Sequence, residues 1–238
     1  MKIYAVKIMD ISEKKLEALC LLISSKKKRK IEKFVNKNDK IRTLIGEMLI
    51  RSIIVQELGI RNKHIIFEEN HYGKPYLKGY PIINFNISHS GYFVVCAIDE
   101  QPIGVDIEEV KPIEYEDIAK KIFTIHEFMY ITKQNSDLQL SKFYEIWTLK
   151  ESYIKCCGQG LSTSLKSFSI DIDQNETINV IINNEHNEYA CKKLEIESGY
   201  KMAVCSVNKE ISDNVEMIDQ NSLINNYSKF DLEEELYL

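Results

Sequence analysis

No apolar run in the chain approaches membrane-spanning length, which argues against a helical membrane protein. The opening residues break their apolar pattern with Lys7 and Asp10, so no signal peptide is read there. Cys-x-x-Cys is absent. The six cysteines stand at 20, 96, 156, 157, 191 and 205, and the adjacent Cys156 and Cys157 suit neither a disulfide nor a zinc site. They read as free thiols of a reducing compartment, with the cytoplasm as the expected location. Gly-x-x-x-x-Gly-Lys-Ser/Thr and the catalytic set of protein kinases are missing, as are fine-grained repeats. A large charge excess is missing too. The net charge of −5 gives no global reason to expect nucleic acid or an anionic membrane as partner, so any anion must be held by a local basic patch.

What is present is ordinary for a soluble globular protein: 238 residues, 44% hydrophobic and 28% charged, enough for one large domain or two small ones. The most informative stretch is Ile103-Gly104-Val105-Asp106-Ile107-Glu108-Glu109. Val105 and Ile107 alternate with Asp106 and Glu108 at period two, which predicts a strand with one apolar face and one acidic face. The two carboxylates stand roughly 6.5–7 Å apart along the strand and repel unless a cation sits between them. A hard divalent ion completed by substrate phosphates fits; a solvated acidic edge strand is the plainer alternative.

Residues 3–9 read as a first strand and 12–23 as a helix capped by Ser12. Ser24-Ser25-Lys26-Lys27-Lys28-Arg29-Lys30 follows, the densest positive charge in the chain. Lysines in a first helical turn oppose the helix dipole unless an anion docks there; a solvated basic face is the alternative. A core helix is predicted over 39–58, with Leu44, Ile45, Met48, Leu49, Ser52, Ile53 and Gln56 inward and Gly59 closing it. Arg42 and Thr43 near its start either reach a ligand or only cap and solvate it. Residues 64–68 read as a strand and 71–76 as a turn, whose Gly73-Lys74-Pro75 could present Lys74 to a phosphate or base. Residues 82–98 read as a hairpin with Ser88-His89-Ser90-Gly91 at its tip, an imidazole between two hydroxyls suited to gripping an anion. The turn 99–102 is the expected boundary between halves.

In the second half one helix is predicted over 119–134 and another over 143–155, capped by Ser141. Trp147, Glu151 and Lys155 share a face at i, i+4, i+8. Glu151 and Lys155 are either a solvent-side ion pair or a third carboxylate and a cation of a site. A loop at 158–162 and strands at 168–171, 178–182, 189–196 and 200–207 follow. The tail, 208–238, reads as peripheral or partly disordered.

Taken together, Gly73-Lys74-Pro75, Phe85-Asn86-Ile87-Ser88-His89-Ser90, Gly104-Val105-Asp106-Ile107-Glu108 and Trp147-Thr148-Leu149-Lys150-Glu151-Ser152-Tyr153-Ile154-Lys155 occur in one order. With Arg42-Thr43-Leu44-Ile45-Gly46 and the 158–162 loop, the chain resembles the 4′-phosphopantetheinyl transferases. The likeness is to the long, surfactin-type class that activates peptide and polyketide synthetases, and it runs from residue 1 to about 207. The resemblance implies an α+β fold of two pseudo-symmetric halves in one monomer, 1–102 and 103–207, with coenzyme A in the cleft between them and the tail outside it. It implies Asp106, Glu108 and Glu151 as Mg²⁺ ligands and Lys155 on the pyrophosphate, with Asp106, Glu151 and Lys155 as the catalytic set. Lys27, Lys30 and His89 become the 3′-phosphate grip, Lys74 lies near the adenine, and Arg42, Thr43 and Ser88 join the coenzyme A-binding set. Apo carrier domains are the implied partners, contacting about 158–189, with Leu161 and Lys166 among the contacts.

The chemistry is consistent with that reading. Moving phosphopantetheine to a carrier serine with release of 3′,5′-ADP is phosphoryl transfer, which asks for positioning and charge neutralisation more than a strong base. Glu151 is the expected base, directly or through water, and a nearby metal and Lys155 would keep it ionised and weak. The alternatives are a Mg²⁺-dependent kinase or nucleotidyl transferase and an inactive carrier-binding module.

Overall fold

Alternation along the central strands sends each side chain to one of two sides, and that sorting builds the molecule. The computed structural model describes residues 1–183 and 185–235, with side chains to residue 230 other than that of Leu161. The first half runs β1 (Lys2–Lys7), α1 (Glu13–Leu19), α2 (Ser25–Glu32), α3 (Lys37–Leu58), the hairpin β2 (Phe67–Glu69) and β3 (Pro75–Leu77), then β4 (Asn84–Ser90) and β5 (Phe93–Asp99). The second half runs β6 (Ile103–Glu109), α4 (Tyr115–Ile122), α5 (Ile125–Thr132), α6 (Ser136–Cys157), β7 (Ser169–Ile172), β8 (Ile178–Ile182), β9 (Glu185–Leu194) and β10 (Tyr200–Ser206). Finally β11 (Glu216–Met217) and α7 (Gln220–Glu235) return to the first half. None of the described helices is long and apolar enough to cross a membrane.

Ser12 and Ser24 cap α1 and α2 by accepting from the backbone N–H groups of Lys15 and Lys27. Four expected elements differ. The 64–68 stretch starts with a 3₁₀ turn at Asn62–His64, and only Phe67–Glu69 is strand. Ser88, His89 and Ser90 lie in the β4 ladder opposite Val95, Val94 and Phe93, and the turn is made by Gly91 and Tyr92. The helix predicted over 119–134 breaks at Phe123, because Thr124 and Glu127 form a reciprocal capping box that starts a new helix. Asn135, not Ser141, precedes α6, which begins about two turns earlier than expected.

The sheets are ordered β11-β1-β5-β4 and β6-β10-β9-β8-β7. In β1, Tyr4 and Val6 face the core under α3, while Ile3 and Ala5 face the other way. In β5, Val94 and Cys96 join the first core; Phe93, Val95 and Ala97 join Ile3 and Ala5. These meet Ile103, Val105 and Ile107 of β6 and Met202 and Val204 of β10 in a third apolar layer between the sheets. At about 2 kcal/mol for each large aliphatic side chain buried, this layer fuses the halves into one body.

The tail differs from the expectation of a peripheral or partly disordered segment. β11 pairs in parallel with β1, and Leu223, Ile224 and Tyr227 of α7 are buried against the first core. Gln220 binds Met9 through both ends of its amide, and the Tyr227 hydroxyl donates to Leu22 O. With α7 on its far side, α3 is buried almost all round, though Gln56, expected inward, is exposed. Residues 236–238 lie outside the described residues.

Because β6 turns its apolar residues to the layer between sheets, its other face, Gly104, Asp106 and Glu108, looks toward α6. The two elements pack at backbone contact: a Cβ on Gly104 would stand 2.0 Å from Ser152 O and 2.3 Å from Cys156 N. This approach lays one face of α6 across the acidic face of β6.

Candidate active site

β4 runs beside β6 without pairing to it through backbone; side chains at every second position of β4 receive the β6 N–H groups instead. Asn86 Oδ1 accepts from Val105 N at 2.9 Å, Ser88 Oγ from Ile107 N at 3.4 Å, and Ser90 Oγ from Glu109 N at 3.1 Å. Each serine hydroxyl also donates to a carboxylate: Ser88 to Asp106 Oδ1 at 2.8 Å, Ser90 to Glu108 Oε2 at 2.7 Å. Above them, Lys155 of α6 reaches down with Nζ 2.5 Å from Asp106 Oδ1 and 3.0 Å from Ser88 Oγ. Lys155 therefore pairs with Asp106, where the plainer sequence reading paired it with Glu151.

Ser88, His89, Asp106, Glu108, Trp147, Glu151 and Lys155 line one cleft of about 320 Å³. Asp106 is 3% exposed, and its Oδ2 is buried with no hydrogen-bond partner. Burial raises the pKa of Glu108 above the ordinary carboxylate value; the Ser90 hydrogen bond opposes this and the charge of Asp106 adds to it. Burial, and then Asp106, likewise raise Glu151, while Lys155 pulls it down. Lys155 thus acts on Glu151 in the expected direction, and burial with the charge of Asp106 outweighs it.

Three carboxylates face a single ammonium, two with pKa values pushed up and one with a buried oxygen left without a partner. That donor set fits a hard divalent cation. The fit is not a finished cage: among the described residues, no three His, Cys, Asp or Glu side chains already stand in a metal-binding arrangement. The ammonium of Lys155 is the cation nearest Asp106.

The remaining expected residues fall into two groups. Lys27 and Lys30 line a second cavity, about 420 Å³, with Phe67, Pro75, Phe85 and Ile87; Ile87 also lines the acidic cleft. Lys27 is tied to the buried Glu47 at 3.1 Å, Glu47 in turn holding Arg51 at 2.6 Å, whereas Lys30 is exposed. His89 stands at the rim of the acidic cleft. Burial against its neighbours, then the charges of Arg42 and Lys155, hold its pKa below the ordinary value, although one face remains open to water.

Arg42, Thr43 and Lys74 are not brought into the acidic cleft. The Arg42 guanidinium donates to Gly91 O and to Asp39, and Thr43 is buried in α3. Lys74, expected at a phosphate or base, spends its three donors on carbonyls of the other half: Lys155 O at 2.6 Å, Ile103 O at 3.1 Å and Cys156 O at 3.2 Å. Burial lowers its pKa.

Sequence reasoning passed over Asn86 and took Ser90 for part of an anion grip, where it instead holds Glu108, although polar residues at 86, 88 and 90 in a strand are themselves a period-two signal. Glu151 and Lys155 also line a groove of about 450 Å³ that runs past Lys121, Ile122, Thr163, Leu165 and Lys166. The side chain of Leu161, an expected contact there, lies outside the described residues.

Comparison with known proteins gives matches along most of the chain. Residues 102–205 match the family model of the 4′-phosphopantetheinyl transferase superfamily, and residues 10–101 match that of the 4′-phosphopantetheinyl transferase N-terminal domain. The 4′-phosphopantetheinyl transferase Sfp of Bacillus subtilis (strain 168) is 39% identical over 226 residues, covering 94% of this chain and 100% of that protein. The 4′-phosphopantetheinyl transferase gsp of Aneurinibacillus migulanus is 39% identical over 185 residues, covering 78% and 76%. Among solved structures, a holo-(acyl-carrier-protein) synthase from Bacillus anthracis in complex with coenzyme A aligns with 44% of this chain and 93% of that chain, at 20% identity and a TM-score of 0.37.

Proposed function

The chain belongs to the 4′-phosphopantetheinyl transferase superfamily, and from that premise we propose how its cleft carries out the transfer. It moves the 4′-phosphopantetheine group of coenzyme A to a serine hydroxyl of an apo carrier protein. The serine oxygen forms a bond to the phosphorus that bears pantetheine, the bond from that phosphorus to 3′,5′-ADP breaks, and the serine proton passes to a base. The two other readings, a kinase or nucleotidyl transferase and an inactive carrier-binding module, give way to this one.

The observation that carries the assignment of roles is the buried, unpartnered Oδ2 of Asp106 in a cleft shared with Glu108, Glu151 and Lys155. Asp106, Glu108 and Glu151 are the residues that would hold Mg²⁺; when bound, the ion supplies charge neutralisation for a diphosphate. Lys155 orients the same diphosphate with its ammonium. Glu151 accepts the serine proton, directly or through water, from its place in the cleft. His89 at the rim, with Lys27 and Lys30 in the adjoining cavity, is placed to take the 3′-phosphate while the base lies along Phe67 and Phe85. Arg42 then serves coenzyme A indirectly, by holding the carbonyl of Gly91 at the hairpin end that carries His89. Lys74 would have to give up its carbonyl partners to touch the nucleotide.

The carrier serine enters from the groove that also borders Glu151, where Lys121 and Lys166 suit an acidic helical partner and 158–189 supplies one wall. One chain supplies both sides of the cleft, which favours a monomer. Six free thiols favour the cytoplasm. Mass spectrometry of an apo carrier incubated with coenzyme A, with and without Mg²⁺, tests the reading. A phosphopantetheine adduct that requires the ion supports it, and an unmodified carrier with the wild-type protein overturns it.

A further inference from the structure

We propose that Ser90 is a positioning residue for the metal: its hydroxyl holds Glu108 in the orientation in which that carboxylate binds a divalent ion. The inference rests on the reading of Asp106, Glu108 and Glu151 as ligands. The starting observation is the seam between the halves, where β6 lies against β4 without a backbone ladder. A hydroxyl has one proton to give and two lone pairs to receive with. Ser90 Oγ receives the N–H of Glu109 at 3.1 Å, which turns its proton toward Glu108 Oε2, 2.7 Å away. One oxygen of Glu108 is thereby fixed from beneath the cleft.

The hydroxyl is itself hard to displace. Ser90 pairs with Phe93 in the β4–β5 ladder, and the next residue, Gly91, has its carbonyl bound by Arg42. Gly91 is wedged so closely that a Cβ there would stand 2.2 Å from the Tyr200 hydroxyl, which in turn accepts from Tyr92 N. The hairpin end is therefore clamped to the second half at Ser90, Gly91 and Tyr92. A glutamate has three rotatable side-chain bonds, so an unheld Glu108 would have to be ordered when the ion arrives. Ser88 performs a similar act on Asp106, but it also meets Lys155, whereas among the described residues no other side chain shares the Ser90 contact. Ser90 isolates the effect.

The test is a titration of Mn²⁺, in the presence of coenzyme A, followed by electron paramagnetic resonance in wild-type protein, Ser90→Ala and Ser90→Thr, with Mg²⁺ dependence of turnover as a second readout. Loss of partners that orient metal ligands typically costs 10–100-fold in metal affinity. Ser90→Ala is expected to weaken Mn²⁺ binding by roughly tenfold. It should raise the Mg²⁺ concentration for half-maximal turnover in step, recover turnover at high Mg²⁺, and leave the carrier KM unchanged. Ser90→Thr, which keeps the hydroxyl, should bind as wild type does. Wild-type-like Mn²⁺ binding in Ser90→Ala overturns the proposal alone, as does equal weakening in Ser90→Ala and Ser90→Thr. No Mn²⁺ binding in the wild type overturns the ligand reading and this proposal with it.

Discussion

The ammonium of Lys74 lies 2.6 Å from the carbonyl oxygen of Lys155, a residue of the other half of the molecule. The hairpin that carries Lys74 thus closes the C-terminal end of α6, where unpaired carbonyls and the negative end of the helix dipole welcome a cation. Asn70 of the same hairpin adds a donor to Gly158 O. Lys74→Met keeps the length of the stem and removes the cap. We expect a loss of about 1–3 kcal/mol in urea unfolding, less the gain from no longer burying an ammonium. Turnover should fall with it, because the last turn of α6 also aims Lys155.

Gly104→Ala should be more damaging. The added Cβ meets backbone, not a flexible side chain, so α6 must move away from β6. The cost should exceed the usual ~1–3 kcal/mol of overpacking, and Glu151 and Lys155 should be carried off Asp106 and Glu108. A lowered melting temperature together with lost transfer to apo carrier is the expected pair of results; an unaltered melt refutes the close packing.

Glu151→Gln should lower kcat by 100-fold or more while the far-ultraviolet circular dichroism stays that of wild type, since the side chain faces the cleft and holds no other element in place. Asp106→Ala should do the same by removing the unpartnered oxygen. Near-wild-type turnover in either would sink the assignment of roles.

His89 should couple coenzyme A binding to pH. Its pKa is held below the ordinary 6.5 in the free protein, so the imidazole is largely neutral at pH 7. A phosphate beside it favours the imidazolium and raises the pKa. Binding then takes up a proton, and affinity falls as pH rises from the free-protein pKa, below 6.5, toward the raised pKa of the complex. Calorimetry in buffers of different ionisation enthalpy measures the uptake, which should vanish in His89→Ala. That variant should raise the KM for coenzyme A more than it lowers kcat.

Much of the site could be read from the sequence wherever the signal is local. The period-two pattern of Val105, Asp106, Ile107 and Glu108 gives the strand and its acidic face. The spacing of Trp147, Glu151 and Lys155 gives one helix face, and all three line the cleft. Contacts that arise only when distant segments meet were not readable: Lys155 choosing Asp106 over Glu151, and Lys74 turning from the nucleotide to the end of α6. Two misses in the fold also had local signals. Thr124-Ile125-His126-Glu127 spells a capping box and splits the helix expected over 119–134. In the tail, Leu223, Ile224 and Tyr227 mark one helix face, but the surrounding Asn and Ser residues masked the pattern.

The parallel pairing of β11 with β1 sets an order of events as the ribosome delivers the chain. The sheet that opens the sequence cannot gain its outermost strand until the whole of the second half has been synthesised, since β11 follows β10. Nascent protein arrested before residue 216 should therefore leave the edge of β1 unguarded and prone to pairing with other chains. Pulse proteolysis of stalled ribosome complexes, halted before and after α7, would show protection of the first half arriving last.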